Sequence, residues 1–252
     1  MKNSNRIRSL WRLTWLVVYT LLAVITVPIV FNPIIEKLPK KREWASFLYR
    51  RLYRALNIKL VVHGTPTTKP SLWVCNHISW IDILLLAGEH TVDFIAKTEV
   101  GEWPLVGNII KKSGTVLIDR DNKFQAYRSL PLLQNRMLAG IPILVFPEGT
   151  TTAGNYTLPF KSMFYQAAVR EEILIQPISL HYLDAQEELT TSVAFIGEDD
   201  FGISLKRILQ QQKITAHIHF LPAINAKDYH RTVLADKNQQ DINKEIELRL
   251  AS

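Results

Sequence analysis

Apolar positions along the chain form one long run near the start and many short runs thereafter. Residues 13–31 (LTWLVVYTLLAVITVPIVF) carry no charge, and as a helix these 19 residues would extend roughly 28 Å, about one hydrocarbon core. Lys2, Arg6, Arg8 and Arg12 precede the run, and Trp11, Trp15 and Tyr19 stand where aromatic rings favour the membrane interface. The run is too long for a cleaved secretory signal, and no small-x-small site precedes the basic stretch that follows. Residues 43–60 (EWASFLYRRLYRALNIKL) then bring Trp44, Phe47, Leu48, Leu52, Ala55 and Leu56 round at helical spacing, with Arg50, Arg51 and Arg54 on other faces. A basic amphipathic helix of this kind is expected among lipid head groups. Pro28 and the Asn32-Pro33 pair are placed to turn the chain back between the two helices. The pattern predicts a two-helix membrane element over residues 1–57, dipping into one leaflet in preference to a single span, and a second unit over 58–252.

That second unit alternates short apolar runs with helical segments. Strands are expected at 58–62, 72–75, 92–96, 115–118, 141–146, 174–180, 193–196 and 215–221, and helices at 81–87, 123–138, 160–170, 201–211 and 242–250. Such alternation defines an α/β fold with a mixed, mostly parallel sheet flanked by helices. Chemistry in that class gathers in loops beyond the carboxyl ends of strands.

Charge sharpens the picture of the N-terminus. The chain of 252 residues carries a net charge of +7, but residues 1–60 hold 12 Lys/Arg against Glu36 and Glu43, while the remainder has 18 basic and 21 acidic side chains. The excess is interleaved with the most apolar segment, which suits a membrane surface and argues against a nucleic-acid partner. Both flanks of the apolar run are basic, so the positive-inside bias largely cancels. The single cysteine, Cys75, excludes an intramolecular disulfide and a cysteine-built zinc site, and its place at a strand end reads as a buried small hydrophobe.

Three strand ends carry candidate chemistry. In Asn76-His77-Ile78-Ser79-Trp80-Ile81-Asp82, Ser79 suits an N-cap and Asp82 the first turn of a helix starting near Trp80. His77, in the loop ahead of that helix, can fold back so that Asp82 fixes its tautomer and raises the basicity of its other nitrogen. Phe146-Pro147-Glu148-Gly149-Thr150 sets a carboxylate, a glycine and a hydroxyl at a strand end, a composition suited to a hydroxyl-bearing substrate. Arg120 follows the strand at 115–118 and is positioned to hold a phosphate. Taken singly, each block has a plain alternative: a helix cap, a turn, a salt bridge from Arg120 to Asp119 or Asp121. The segment from Gly149 to Gly154 imitates P-loop spacing, but Asn155-Tyr156 stands where Lys-Ser/Thr is required.

Together the blocks are far more specific. Asn76–Asp82, the segment from Gly114 to Arg120, the segment from Phe146 to Thr150, and Ile175-Gln176-Pro177-Ile178 occur in the order and at the distances of the four motifs of the 1-acylglycerol-3-phosphate acyltransferase (lysophosphatidate acyltransferase) family, which the chain resembles over roughly residues 60–200. The first and third blocks match the family patterns Asn-His-x-x-x-x-Asp and Phe-Pro-Glu-Gly-Thr completely. The resemblance implies a glycerolipid acyltransferase fold over 58–252, with His77 as general base toward a lipid hydroxyl and Asp82 orienting it. It implies substrate-binding roles for Asn76, Ser79, Arg120, Glu148, Gly149, Thr150 and Lys161. The lipid oxygen would attack the thioester of acyl-CoA or acyl carrier protein, a co-substrate, with no cofactor and no metal, and backbone N–H groups of the motif loops would hold the oxyanion. Partners would be membrane lipids and a lysolipid acceptor, with the enzyme membrane-associated and its site facing the cytoplasm.

One departure concerns the acceptor. Many members follow Glu-Gly-Thr with Arg-Ser, where Thr151-Thr152 stand here, and Lys161 could supply the missing charge. The retained Arg120 makes 1-acylglycerol-3-phosphate the first expectation, and a lyso-ornithine lipid or another lysolipid the alternative. Readings of other classes are a non-catalytic module binding anionic membranes and a hydrolase using water. His217 and His219 alternate on one strand with metal-like spacing, but with no third ligand in view they read as a half-exposed strand face, and His181 as structural. Neither a dinucleotide fingerprint nor a serine-hydrolase elbow occurs.

Overall fold

The computed structural model describes residues 2–31, 41–102, 107, 110, 115–119, 123–171 and 173–250. Arg120, Gly114 and the Asn32-Pro33 pair lie outside these residues. Helices α1 (Lys2–Val30) and α2 (Lys41–Ala55) precede strands β1 (Ile58–His63) and β2 (Ser71–Cys75). Then follow α3 (Ile81–Glu89), β3 (Asp93–Lys97), β4 (Val116–Ile118), α4 (Lys123–Leu138), β5 (Ile143–Val145), α5 (Tyr165–Arg170), β6 (Leu174–Leu183), α6 (Phe201–Gln210), β7 (Ile214–Phe220), β8 (Ile224–Asn225) and α7 (Arg231–Leu250).

The sheet runs β1-β7-β6-β2-β5-β3-β4, with β8 paired to the start of β6. From β6 to β4 all neighbours are parallel; β7 turns antiparallel against β6, and β1 lies parallel to β7. It is the mixed, mostly parallel sheet that the alternation predicts. Buried strands read as near-continuous apolar runs, as β2 (SLWVC, fully buried) illustrates. Alternate residues serve two cores. Trp73, Cys75, Leu144 and Ile218 face α2, α3 and α6; Leu72, Val74, Ile143 and Ile175 face α4, α5 and α7.

Several expectations need correction. Residues 193–196 form no strand: Arg207 holds the carbonyls of Ser192 and Ala194, and Phe195 donates its N–H to Ile78, so the segment has no ladder to join. The helix expected at 160–170 shrinks to α5, because Lys161 N–H is tied to the carbonyl of Pro147. α7 begins 11 residues earlier than expected, at Arg231, since its polar first turns hide a buried stripe of Leu234, Ala235, Asn238, Ile242 and Ile246.

The N-terminal helices are also less free than the sequence implies. The apolar stripe of α2 is spent largely on protein, with Leu48 and Leu56 buried and Leu52 packed against the core. Ser46 and Arg50 donate to the last carbonyls of α3, at Ala87 (2.8 Å) and Gly88 (2.6 Å). In α1, Leu16 joins the core while Ala23 and Val27 pack on α2, and Trp44 Nε1 donates to Thr26 Oγ1 at 3.0 Å. Arg12 is buried and crosses to α6, giving hydrogen bonds to the carbonyls of Leu209, Gln211 and Gln212, a cation placed where a helix C-terminus wants one. Ser9 adds a bond to Leu209. The opposite face of α1 exposes Ile7, Leu10, Val17, Leu21, Ile25 and Ile29. Residues Ile7–Val30 are long and apolar enough to cross a membrane.

Candidate active site

The site lies where β2 and β5 end side by side. Parallel pairing of Val74 with Val145 brings the loops beginning at Asn76 and Phe146 together, although 70 residues separate them in sequence. Asn76 is fully buried and its amide exchanges both hydrogen bonds with the backbone of Leu180 on β6, at 2.8 and 2.9 Å. The side chain expected to meet substrate is thus spent on clamping the loop.

His77 folds back over the start of α3, and its Nδ1 lies 2.8 Å from Asp82 Oδ2. The same oxygen accepts the N–H groups of Ile78 (2.8 Å) and Ser79 (2.9 Å), and Oδ1 accepts the Tyr182 hydroxyl at 2.6 Å. A carboxylate so surrounded by donors is an acceptor only, so Nδ1 of His77 carries the proton and Nε2 keeps its lone pair. Asp82 is wholly buried while the His77 side chain keeps 18% exposure, enough for a substrate to reach its ring. Phe146 stacks beneath the imidazole at 4.0 Å between centroids and 15° between planes, fixing its tilt.

Ser79 does not act as the expected side-chain cap. Trp80 holds the N-cap position without a side-chain bond, and Asp82 itself reaches back to the loop N–H groups, leaving Ser79 Oγ buried and, among the described residues, without a partner.

Glu148 is equally structural. Its two oxygens accept the N–H of His77 (2.7 Å) and of Leu158 (2.9 Å), and the side chain is buried. Burial raises its carboxyl to about 7, the two N–H bonds offsetting part of the rise and the charge of Asp82 adding to it. The third block therefore positions the first, a link completed by Thr152 N–H to the carbonyl of His77 at 2.8 Å. Gly149 turns at φ +75°, a conformation that favours glycine, and a Cβ there would meet Lys161 Nζ at 2.5 Å. Lys161 and Thr150 are exposed, so the ammonium lies over the Glu148-Gly149 turn at the surface.

The N–H groups of His77, Ile78 and Ser79 are all committed to carboxylates and are not available to an oxyanion. Thr151 gives its hydroxyl to the carbonyl of Phe195, and Thr152 to those of His77 and Tyr156. Cys75 is buried, its thiol pushed well up by desolvation first and by Asp82 and Glu148 next, which removes it as a nucleophile. Sequence reasoning missed Tyr182. The signal was the length of β6, which runs past Ile178, the partner of Cys75, and so carries Tyr182 over α3.

The arrangement is a buried carboxylate, an oriented imidazole and an open approach to its free nitrogen, the equipment of a general base acting on a hydroxyl. Comparison with known proteins gives it a class. The acyltransferase family model matches residues 59–181. A lyso-ornithine lipid O-acyltransferase of Pseudomonas aeruginosa is 33% identical over 212 residues, 81% of this chain and 78% of that protein. A 1-acyl-sn-glycerol-3-phosphate acyltransferase of Neisseria meningitidis is 29% identical, with 81% of each covered. The crystal structure of the 1-acyl-sn-glycerophosphate acyltransferase from Thermotoga maritima shares the fold, with a TM-score of 0.71 over 98% of both chains at 19% identity. Fold and sequence define an acyltransferase. The chain belongs to the 1-acylglycerol-3-phosphate (lysophospholipid) acyltransferase family.

Proposed function

We propose that the enzyme moves a fatty acyl group from the thioester of acyl-CoA or acyl carrier protein to the free hydroxyl of a lysolipid. His77 Nε2 takes the hydroxyl proton as the lipid oxygen attacks the thioester carbonyl. The tetrahedral intermediate then collapses, the C–S bond breaks, and the proton passes from His77 to the leaving thiolate. Asp82 holds the ring in the tautomer this requires and stabilises its charged form. The observation that carries the reading is the 2.8 Å contact between His77 Nδ1 and a buried Asp82 already saturated by three other donors.

The acceptor favoured is a lyso-ornithine lipid, with 1-acylglycerol-3-phosphate second. The hydroxyls of Thr151 and Thr152, which replace a phosphate-binding Arg-Ser pair, are turned inward to carbonyls, and relatives bearing the lyso-ornithine name are 30–33% identical, against 29–32% for those named for 1-acyl-sn-glycerol-3-phosphate. The second reading draws on Lys161, whose ammonium lies over Gly149. Detergent-purified enzyme offered both acceptors with acyl-CoA decides between them by the diacyl product formed. His77→Ala should lower kcat by about 10²–10⁴-fold with folding retained. Near-normal turnover in that variant would remove the proposed base, and free fatty acid without diacyl product would point to hydrolysis.

We read the N-terminal pair as an in-plane anchor in one leaflet, on a membrane whose cytoplasmic side the site faces. One side of α1 is taken up by protein contacts from Arg12 to Val27 while the other exposes an apolar stripe. A cleft of ≈390 Å³ between the helices is lined by Arg8, Arg12, Arg51 and Arg54 together with Trp11, Trp15 and Tyr19, a lining suited to anionic head groups.

A further inference from the structure

Four histidines that the reaction does not use meet on one face of the sheet. Parallel pairing sets His63 of β1 opposite His219 of β7, and antiparallel pairing sets His181 of β6 opposite His217. His217 and His219, two apart on β7, share that face, so three strands build a staggered block of imidazoles, one from β1, two from β7 and one from β6. The sequence reading of a half-exposed strand lacked these neighbours: His219 and His181 are in fact buried, His217 is partly so, and only His63 is exposed.

From this block we infer that His63, His217 and His219 bind a divalent transition-metal ion of the zinc type, with His181 as a fourth imidazole at its edge. One ring nitrogen of each of the three lies within 4.8 Å of the others. His63 Nε2 and His217 Nδ1 are already 3.0 Å apart, close to the roughly 3.3 Å that two nitrogens take on one tetrahedral Zn²⁺ with bonds of about 2.0–2.1 Å. The rings of His63 and His219 lie 4.1 Å apart and 8° from parallel, so both must turn about χ for their lone pairs to meet on one ion.

Two further observations point to a ligand. His219 Nδ1 lies 3.1 Å from Glu245 Oε1 on α7, which fixes the tautomer with the proton on Nδ1 and leaves Nε2 free, the arrangement by which a carboxylate supports a metal-bound histidine. Among the described residues that buried Nε2 has no hydrogen-bond partner, and His181 Nδ1 is in the same state. Leaving such an atom unpaired is unfavourable, and a metal–nitrogen bond at His219 Nε2 would offset it. Burial, and then the neighbouring histidines and Arg249, hold His219 down at about 4 and His181 at about 3, so both are neutral, the form that ligates, at physiological pH. Glu245 is itself paired with Arg249, so the local charge is balanced. Imidazole-only donors favour zinc, copper or nickel over magnesium or calcium.

The site sits behind the reaction centre, on the other face of the same strand. His181 and Tyr182 are consecutive on β6, so the metal block and the hydroxyl that holds Asp82 project from opposite sides of one backbone. A bound ion would tie the edge strand β1 to β6 through β7.

The test uses the full chain, purified in detergent without a polyhistidine tag and stripped with EDTA. Calorimetric titration with ZnCl₂ should show one ion per chain, and Co²⁺ should give the visible spectrum of a tetrahedral histidine site. His63→Gln with His217→Gln should weaken Zn²⁺ binding by about 100-fold or more, and Glu245→Gln by about 10-fold. His63 is exposed, so if the double variant melts early in EDTA the single His63→Gln carries the same comparison. Absence of saturable binding, or one-to-one binding unchanged by His63→Gln and the double variant, would overturn the assignment. Acyl transfer is not the readout, so failure here leaves the proposed reaction standing.

Discussion

Tyr182 and Glu148 do their work through His77 and Asp82. The Tyr182 hydroxyl is one of four donors on Asp82, so Tyr182→Phe leaves the carboxylate pulling harder on the imidazole. The expected result is a kcat about ten-fold lower and a stability loss of about 2 kcal/mol from the missing bond to a charged group. An unchanged kcat would reduce Tyr182 to packing. Glu148 has a pH signature of its own. Its folded value of about 7 lies above the ordinary carboxyl value of 4.5, so its stabilising contribution is complete below pH 4.5 and is lost as pH rises through 7, by up to about 3 kcal/mol. The melting temperature of the enzyme relative to Glu148→Gln should therefore fall between pH 5 and pH 8, and a constant gap would contradict this. Both residues show how far the sequence could be read. The His-Asp pair was legible because five positions fix it locally, whereas Asn76 and Glu148 look like substrate ligands until their buried hydrogen bonds show them holding backbone.

Elements were legible where their periodicity was strong and local. α4 appears at its expected bounds, and β1, β2, β3 and β7 within a residue or so, because buried apolar runs leave little choice. The misses came where tertiary contacts overrode local pattern: Arg207 kept residues 193–196 from pairing, and the stripe of α7 was too polar at its start to register. α6 offers a test at this scale. Asp200 caps its N-terminus through Ile203 N–H at 2.7 Å, while its C-terminus depends on Arg12 from a helix nearly 200 residues away in sequence. Arg12→Ala should cost about 1–2 kcal/mol and speed amide exchange in the last turn of α6. Arg12→Lys should recover only part, since a single ammonium cannot reproduce the fork over three carbonyls. Full recovery by lysine would mean that charge alone matters.

On the scale of the molecule, basic charge and exposed apolar surface coincide at α1 and α2. Arg51 and Arg54 are exposed, lie over Phe47 and Tyr53, and line the cleft beside Trp11 and Trp15, whereas Arg50 is occupied with α3. Replacing Arg51 and Arg54 by Glu should weaken binding to phosphatidylglycerol vesicles roughly ten-fold or more in cosedimentation, at about 1 kcal/mol per charge near the surface, with little change on neutral vesicles. Equal losses on both vesicle types would mean that the variants had disturbed the apolar contact instead. The docking of α1 has a further consequence. A helix fastened to α6 at Ser9 and Arg12 and to α2 at Thr26 and Val27 is tied to the rest of the fold along its length. Were that helix embedded in the leaflet as proposed, the distance from the lipid surface to the waiting imidazole would become a fixed standoff. The enzyme would then pick its alcohol partly by depth, as a gauge does.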